Sequence, residues 1–303
     1  MNKDVEIMVV DPNPNALEIA KNRYEEMRLN SHIRFINYYQ NISRLDGEID
    51  LAIIATTADV RRNVIEDLLN KIQVHYLILE KVVFQSIQDF ESIMYFLNEK
   101  NVKTWVNCPR RMIPFFQDLR EKGIRAESIR ISVNGCTGGM ASNTIHMLDL
   151  LAFLTGKKEI TINETDFDKK IYKSKRSNFV ELSGRLVAQT SRGDILDILD
   201  NREASIHLIM CFETDKQKIE INQLEGICKI SKKDSVKQPI EQPFHMPMQT
   251  ELTAKLVEQI LETGNSYLTS LKESYLLHKP MLNVFNKHLS FMLKKKVTVC
   301  PIT

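Results

Sequence analysis

Glycine is missing from all ten residues that precede Asp11. A backbone loop that cradles a phosphate needs glycine, so none can be built there. Cysteine is scarce. Cys108, Cys136, Cys211, Cys228 and Cys300 are odd in number and widely spaced, and no CxxC occurs. That excludes a disulfide framework and a zinc site, and it points to a reducing compartment. The N-terminus lacks the apolar core of a signal peptide, and no uninterrupted apolar run is long enough to span a bilayer. A cytoplasmic address is the remaining expectation. Charge of one sign is also lacking. Against 41 Lys and Arg stand 39 Asp and Glu, a formal net charge of +2. No strong field draws the chain to nucleic acid or anionic lipid, so neither partner is expected. The Lys294-Lys295-Lys296 run reads as a solvated helix end.

What is present is enough apolar material for a core. Hydrophobic residues make up 43% and charged residues 26% of 303 positions, room for two domains of ordinary size. Strands are predicted over residues 6–10, 32–37, 50–55, 76–79 and 104–107, with helices over 15–28, 59–71 and 87–99 between them. Alternating strand and helix is the signature of βαβ units on a parallel sheet. The strand over 50–55 is almost wholly apolar, which predicts burial on both faces. After Pro109 the pattern changes. A helix is expected from Ile113 to Lys122, an alternating strand from Ser128 to Val133, and a flexible link from Gly135 to Gly139. An amphipathic helix from Asn143 to Leu154 should close on Gly156 as its C-cap. Strands with polar turns fill 159–230, and 231–247 reads as an irregular loop. Two closing helices follow, the second interrupted near Pro280. The predicted fold is α/β. An incomplete Rossmann-like parallel-sheet domain, lacking its first βα unit, covers 1–108. An α+β domain with a mainly antiparallel sheet and closing C-terminal helices covers 109–303.

The run His75-Tyr-Leu-Ile-Leu-Glu80 leads straight into Lys81. Open α/β sheets place ligands outside the carboxyl ends of their strands, so the Lys81 ammonium stands where it can bind or protonate a substrate oxygen. A surface lysine after a strand is the plainer alternative. Asp11 ends its strand where a dinucleotide-binding domain puts an acid on the adenosine ribose. In such a domain a G-x-G-x-x-G loop lies ~20 residues earlier. Its absence predicts weakened dinucleotide binding, since the pyrophosphate normally rests on that helix N-terminus. It also predicts an open ladder on a neighbouring strand. Three explanations are open: a start further upstream, a truncated relative with little or no redox activity, or another chain covering the edge. Asp11 also reads simply as a turn former before Pro12.

Several ordered segments resemble the Gfo/Idh/MocA family of NAD(P)-dependent oxidoreductases. Asp50-Leu-Ala-Ile-Ile-Ala-Thr-Thr-Ala-Asp-Val-Arg61 resembles the strand and turn beside the nicotinamide. Glu80-Lys81 resembles the start of a Glu-Lys-Pro signature, and Val106-Asn-Cys-Pro-Arg-Arg111 the start of the substrate domain. Asn143-Thr-Ile-His146-Met-Leu-Asp149, followed by Leu154-Thr-Gly156, resembles the helix carrying the active-site histidine. Ser274-Tyr-Leu-Leu-His278 and Cys300-Pro-Ile-Thr303 resemble a branch linked to surface-sugar biosynthesis. The family usually has Pro where Thr57 and Val82 stand and His where Arg61 stands. Its common catalytic Asp falls at Ser142, which cannot act as a carboxylate base.

The resemblance implies an oxidoreductase acting on a sugar or sugar derivative, with NAD or NADP as cofactor and a homo-oligomer formed through the antiparallel sheet. It implies Lys81 and His146 as catalytic groups. Asp11, Thr56, Thr57, Arg61 and Glu80 would bind cofactor. Asn107, Arg110, Arg111, Asn143, Asp149 and His278 would bind substrate. Each has a simpler reading beside it: threonine caps for Thr56 and Thr57, inter-domain salt bridges for Arg110 and Arg111, an N-cap for Asn143. A structural partner suits Asp149, and a helix-surface position suits His278. No metal is implied. The alternative to an enzyme is a non-catalytic relative acting as a sugar-binding or subunit-like partner.

Overall fold

The computed structural model describes residues 4–26, 32–122, 128–135, 139–201, 208–233 and 237–303. Most of the predicted link 135–139 lies outside these residues. In the first part the chain runs β1 (Val5–Val10), α1 (Pro14–Glu25), β2 (Ile33–Tyr39), β3 (Glu48–Ile54), α2 (Arg61–Lys71), β4 (Gln73–Leu79), α3 (Ile87–Glu99) and β5 (Lys103–Val106). The strands β3, β4 and β5 are parallel neighbours, as the β–α alternation predicts. The strands β1 and β2 are parallel to each other but form a separate two-stranded sheet. Neither the outer edge of β1 nor that of β3 carries a paired strand among the described residues.

This split explains a departure from expectation. The apolar strand β3 is not buried on both faces. Ile54 is its one buried residue, and Ile53 is 44% exposed. Its composition suits an interior strand, but its position is an edge. In β1, five of six residues are apolar and none is fully buried.

After β5 come α4 (Pro114–Lys122), β6 (Arg130–Gly135), α5 (Met140–Thr155), β7 (Ile160–Phe167) and a short pair, β8 (Tyr172–Lys173) and β9 (Val180–Glu181). Then follow β10 (Gly184–Thr190), β11 (Ile195–Asp200), β12 (Ile209–Glu213), β13 (Gln217–Asn222), β14 (Ile227–Lys232) and β15 (Ile240–Pro243). The last of these lies inside the stretch expected to be irregular. Eight of these strands form one sheet in the order β15-β14-β13-β12-β6-β11-β10-β7. The pair β6–β11 is parallel and the rest antiparallel.

The closing segment is α6 (Gln249–Thr263), β16 (Thr269–Ser270) and α7 (Leu271–Leu293). It returns to the first sheet. The strand β16 pairs with β5, and Leu256, Ile260 and Leu268 pack on Ile78 and Trp105. Helix α7 runs unbroken through Pro280, contrary to the predicted interruption. Proline removes one backbone donor and crowds the preceding turn. Here Leu277, His278, Met281 and Leu282 are all buried around it, and this packing holds the helix. Among the described residues, no helix is long and apolar enough to cross a membrane.

Candidate active site

The carboxyl ends of β3, β4 and β5 collect the candidate residues. Thr56 and Thr57 follow β3, Glu80 and Lys81 follow β4, and Asn107 to Arg111 follow β5. Glu80 is fixed by two amides. Asn107 Nδ2 donates to its Oε1 at 2.5 Å, and Gln249 Nε2 donates to the same oxygen at 2.9 Å. The Lys81–Val82 peptide is cis. Lys81 Nζ donates to the Ser142 carbonyl at 2.9 Å and to Asn143 Oδ1 at 3.4 Å, near the start of α5.

His146 stands three and four residues further along α5, on the face that holds Lys81. The Lys81 ammonium is therefore held about one helical turn from His146, which feels its charge. Burial, then the charges of Arg110 and Lys81, hold the His146 imidazole well below its ordinary pKa. Its Nδ1 is buried and has no hydrogen-bond partner among the described residues. Burial also lowers the pKa of Lys81, against the opposing pull of Cys108, Glu80 and Glu181. A lysine with a depressed pKa next to a neutral imidazole is a proton-transfer pair.

Helix α5 starts at Met140, three residues earlier than predicted, so Asn143 is not its N-cap. The cap is Glu181, a residue that carries no sequence signal. Its Oε2 accepts from Ala141 N at 3.0 Å and Ser142 N at 3.3 Å. A carboxylate there satisfies orphan amides and opposes the positive end of the helix. Gly139 makes this possible. Its φ is +135°, and a Cβ there would lie 2.3 Å from Glu181 Cδ. The helix is not amphipathic, because 13 of its 16 residues are buried. It ends at Gly156 in the left-handed conformation, as expected. Ser142 Oγ turns to the Gly139 carbonyl at 3.4 Å.

The two arginines diverge. Arg111 Nε donates to Asp149 Oδ2 at 2.8 Å, and its Nη2 lies 2.7 Å from Oδ1. Glu273 adds a weaker contact at 3.7 Å. Asp149 is fully buried in this pair, so it orients Arg111. Arg110 has no such partner.

The other candidates lie around this centre. Arg61 is buried and donates to the carbonyls of Thr56, Val82 and Val83. These bonds tie the loop after β3 to the segment after Lys81. Burial lowers its pKa to about 10, with Glu80 opposing. The Thr56 hydroxyl is buried without a partner, and Thr57 is half-buried. Asp11 Oδ1 accepts from Asn13 N at 2.8 Å, the turn-forming role.

His278 faces neither solvent nor an open cleft. It is fully buried, with Nε2 3.3 Å from Val83 N and Nδ1 2.8 Å from the Ser274 carbonyl. Burial drives its pKa down to about 3. The folded protein thus holds it neutral, while the unfolded chain protonates it below about 6.5. The unfolded state then binds the extra proton, so stability falls as pH drops below that point. Between pH 7 and 5 His278 is expected to cost about 2 kcal/mol, at 1.36 kcal/mol per pH unit. Urea denaturation at both pH values should show His278→Gln with a shallower pH slope than the parent; equal slopes refute the assignment.

A C-terminal strap binds the site's parts together. Thr303 Oγ1 accepts from Ala58 N at 2.9 Å, in the loop carrying Thr56 and Thr57. Gln85 exchanges bonds with Cys300 N and the Ile302 carbonyl, at 2.8 and 3.1 Å. Val180 N, beside Glu181, donates to the Pro301 carbonyl at 2.8 Å. Two hollows of about 290 and 200 Å³ open elsewhere, one around Gln189, Thr190 and Leu276, the other around Arg111, Arg120 and Lys158. Neither is lined by Lys81 or His146.

No protein-family model matches the sequence, and no curated protein matches it significantly. Solved structures do match. A Gfo/Idh/MocA family oxidoreductase from Vibrio cholerae aligns with a TM-score of 0.67 at 17% identity, covering 96% of this chain and 92% of that one. The fold is that of the Gfo/Idh/MocA oxidoreductases. The WlbA dehydrogenase from Bordetella pertussis, solved with NADH and UDP-GlcNAcA, shares it at a TM-score of 0.59 and 13% identity, covering 98% of this chain and 91% of that one. The transcriptional regulator Gal80p from Kluyveromyces lactis shares it too, with a TM-score of 0.62 and 16% identity, covering 96% of this chain and 83% of that one. The Gfo/Idh/MocA fold thus carries both an enzyme and a regulator, and function must be argued from the site.

Proposed function

We propose that this chain is a nicotinamide-dependent oxidoreductase acting on a sugar or sugar derivative. The observation that carries the reading is Lys81, at the carboxyl end of the parallel sheet, bonded to α5 one turn from His146 and acting on its charge. A bound nicotinamide supplies the hydride acceptor or donor. In the oxidative direction the substrate C–H leaves as hydride, the O–H proton passes to Lys81 or His146, and a carbonyl forms. Lys81 keeps a third N–H for the substrate oxygen after donating to Ser142 and Asn143. Asn143, Asn107 and Arg110 border the sugar, with Arg111 and Asp149 as the rigid pair behind them. His278 and Arg61 act as positioning residues through the segment after Lys81.

The fit to the cofactor is divided. The nicotinamide end has Thr56, with its unpartnered hydroxyl, and Thr57. The ribose end has Asp11, whose carboxylate favours NAD over NADP because it repels a 2′-phosphate. No glycine cradle for the pyrophosphate stands among the described residues. Residues 1–108 would form the cofactor half and 109–303 the substrate half. The open face of the eight-stranded sheet would be the homo-oligomer contact, in a cytoplasmic protein.

One observation favours a second reading, a non-catalytic sugar-binding or subunit-like partner. It is the pair of outer strand edges, β1 and β3, that carry no paired strand among the described residues and are open to another chain. Calorimetry with NADH and NADPH separates the readings. Saturable NADH binding, weaker than a glycine cradle would support, is the expected result. Failure to bind either dinucleotide, with sugar binding retained, establishes the second reading instead.

A further inference from the structure

Each carboxylate around the candidate site is already engaged. Asp149 holds Arg111. Glu181 caps α5, and Glu80 accepts from Asn107 and Gln249. Among the candidate site residues, the Arg110 side chain has no ion pair or hydrogen bond to a described residue, and its buried Nε has no partner. Arg110 is half-buried, and a buried N–H left without an acceptor is costly, so its retention in this place points to a ligand that supplies one. Its planar fork matches a carboxylate with two parallel N–H···O bonds. The placement is equally specific. Arg110 acts on both His146 and Lys81, the groups flanking the reacting carbon. An anion bound there sits on the sugar ring itself, whereas a diphosphate leaves the ring away from the reacting carbon.

We propose that Arg110 binds a carboxylate on the substrate's sugar ring, so that the chain acts on a sugar acid in preference to the neutral sugar. The proposal rests on the oxidoreductase reading, and it assigns the substrate class within it. Asp149 also acts on Arg110, but both its oxygens face Arg111.

The probes are UDP-GlcNAcA, UDP-N-acetylglucosamine and free glucuronate, each titrated by calorimetry. The full chain is expected to bind UDP-GlcNAcA roughly 10- to 100-fold tighter than UDP-N-acetylglucosamine, the range for a charge-assisted contact. Arg110→Met should abolish that ratio and the binding of glucuronate. Arg110→Lys, which keeps the charge without the fork, should retain part of it. Equal affinities in the parent chain overturn the proposal. So does an Arg110→Met loss that is the same for both nucleotide sugars, which would assign Arg110 to the diphosphate. NADH affinity, measured separately, checks folding of the variants and tests the redox reading on its own. A chain that discriminates the acid through Arg110 but binds no NADH keeps the anion site and loses the dehydrogenase role.

Discussion

Lys81→Ala is expected to lower kcat by about 10²- to 10⁴-fold, the contribution of a positioned acid–base group. NADH affinity should change little. The ammonium donates to Ser142 O and Asn143 Oδ1 on α5 while its backbone follows β4. The pH profile separates its role from that of His146. The imidazole is held well below its ordinary pKa by burial and by Arg110 and Lys81, so it stays neutral through the physiological range. Lys81, with its pKa lowered by burial, is the group that titrates above it. In the oxidative direction the rate should climb with pH as Lys81 loses its proton, and the climb should vanish in Lys81→Ala but survive in His146→Asn. If the climb disappears with His146 instead, the proton-transfer role belongs to the imidazole.

Asp149→Ala should be the most destabilising single change near the site. It leaves Arg111, whose side chain is 11% exposed, without its main counter-ion. Removing one partner of a buried pair costs roughly 3–5 kcal/mol. That is a large share of the ~5–15 kcal/mol available to a folded domain. Replacing both partners, as in Asp149→Leu with Arg111→Met, should recover most of the loss, since the penalty comes from the stranded charge. Urea midpoints of the single and double variants measure this. A single-variant loss below about 1 kcal/mol would mean that Glu273, 3.7 Å from Arg111, already compensates.

The sequence was most readable where a local rule has one outcome. Alternating apolar strands and helices gave the parallel sheet, and Glu80-Lys81 fell at a strand end because the apolar run before it ends in the buried Leu77 to Leu79. Gly156 closed α5 because a left-handed terminus favours glycine. The spacing of His146 and Asp149 placed them on one helix, although they face different partners. Less was readable where a long-range contact decides. Glu181 caps a helix some forty positions earlier in the chain, from a strand of two residues. The division of labour between Arg110 and Arg111 depends on Asp149, which no pattern links to either. Composition suggested an interior place for β3, while among the described residues it stands at the edge of its sheet. Proline statistics predicted a break at Pro280, where tertiary packing overrides them.

The strap at Cys300–Thr303 carries one consequence for how the protein is made. Ala58 and Thr303 lie 245 positions apart, yet one bond joins them. A nascent chain still on the ribosome can have released Lys81, Arg110 and His146 and formed every strand around them. The loop after β3 and the strand of Glu181 are tied down only once residues 300–303 have emerged. The centre is therefore closed by contacts of very high sequence separation, the kind that form late in folding.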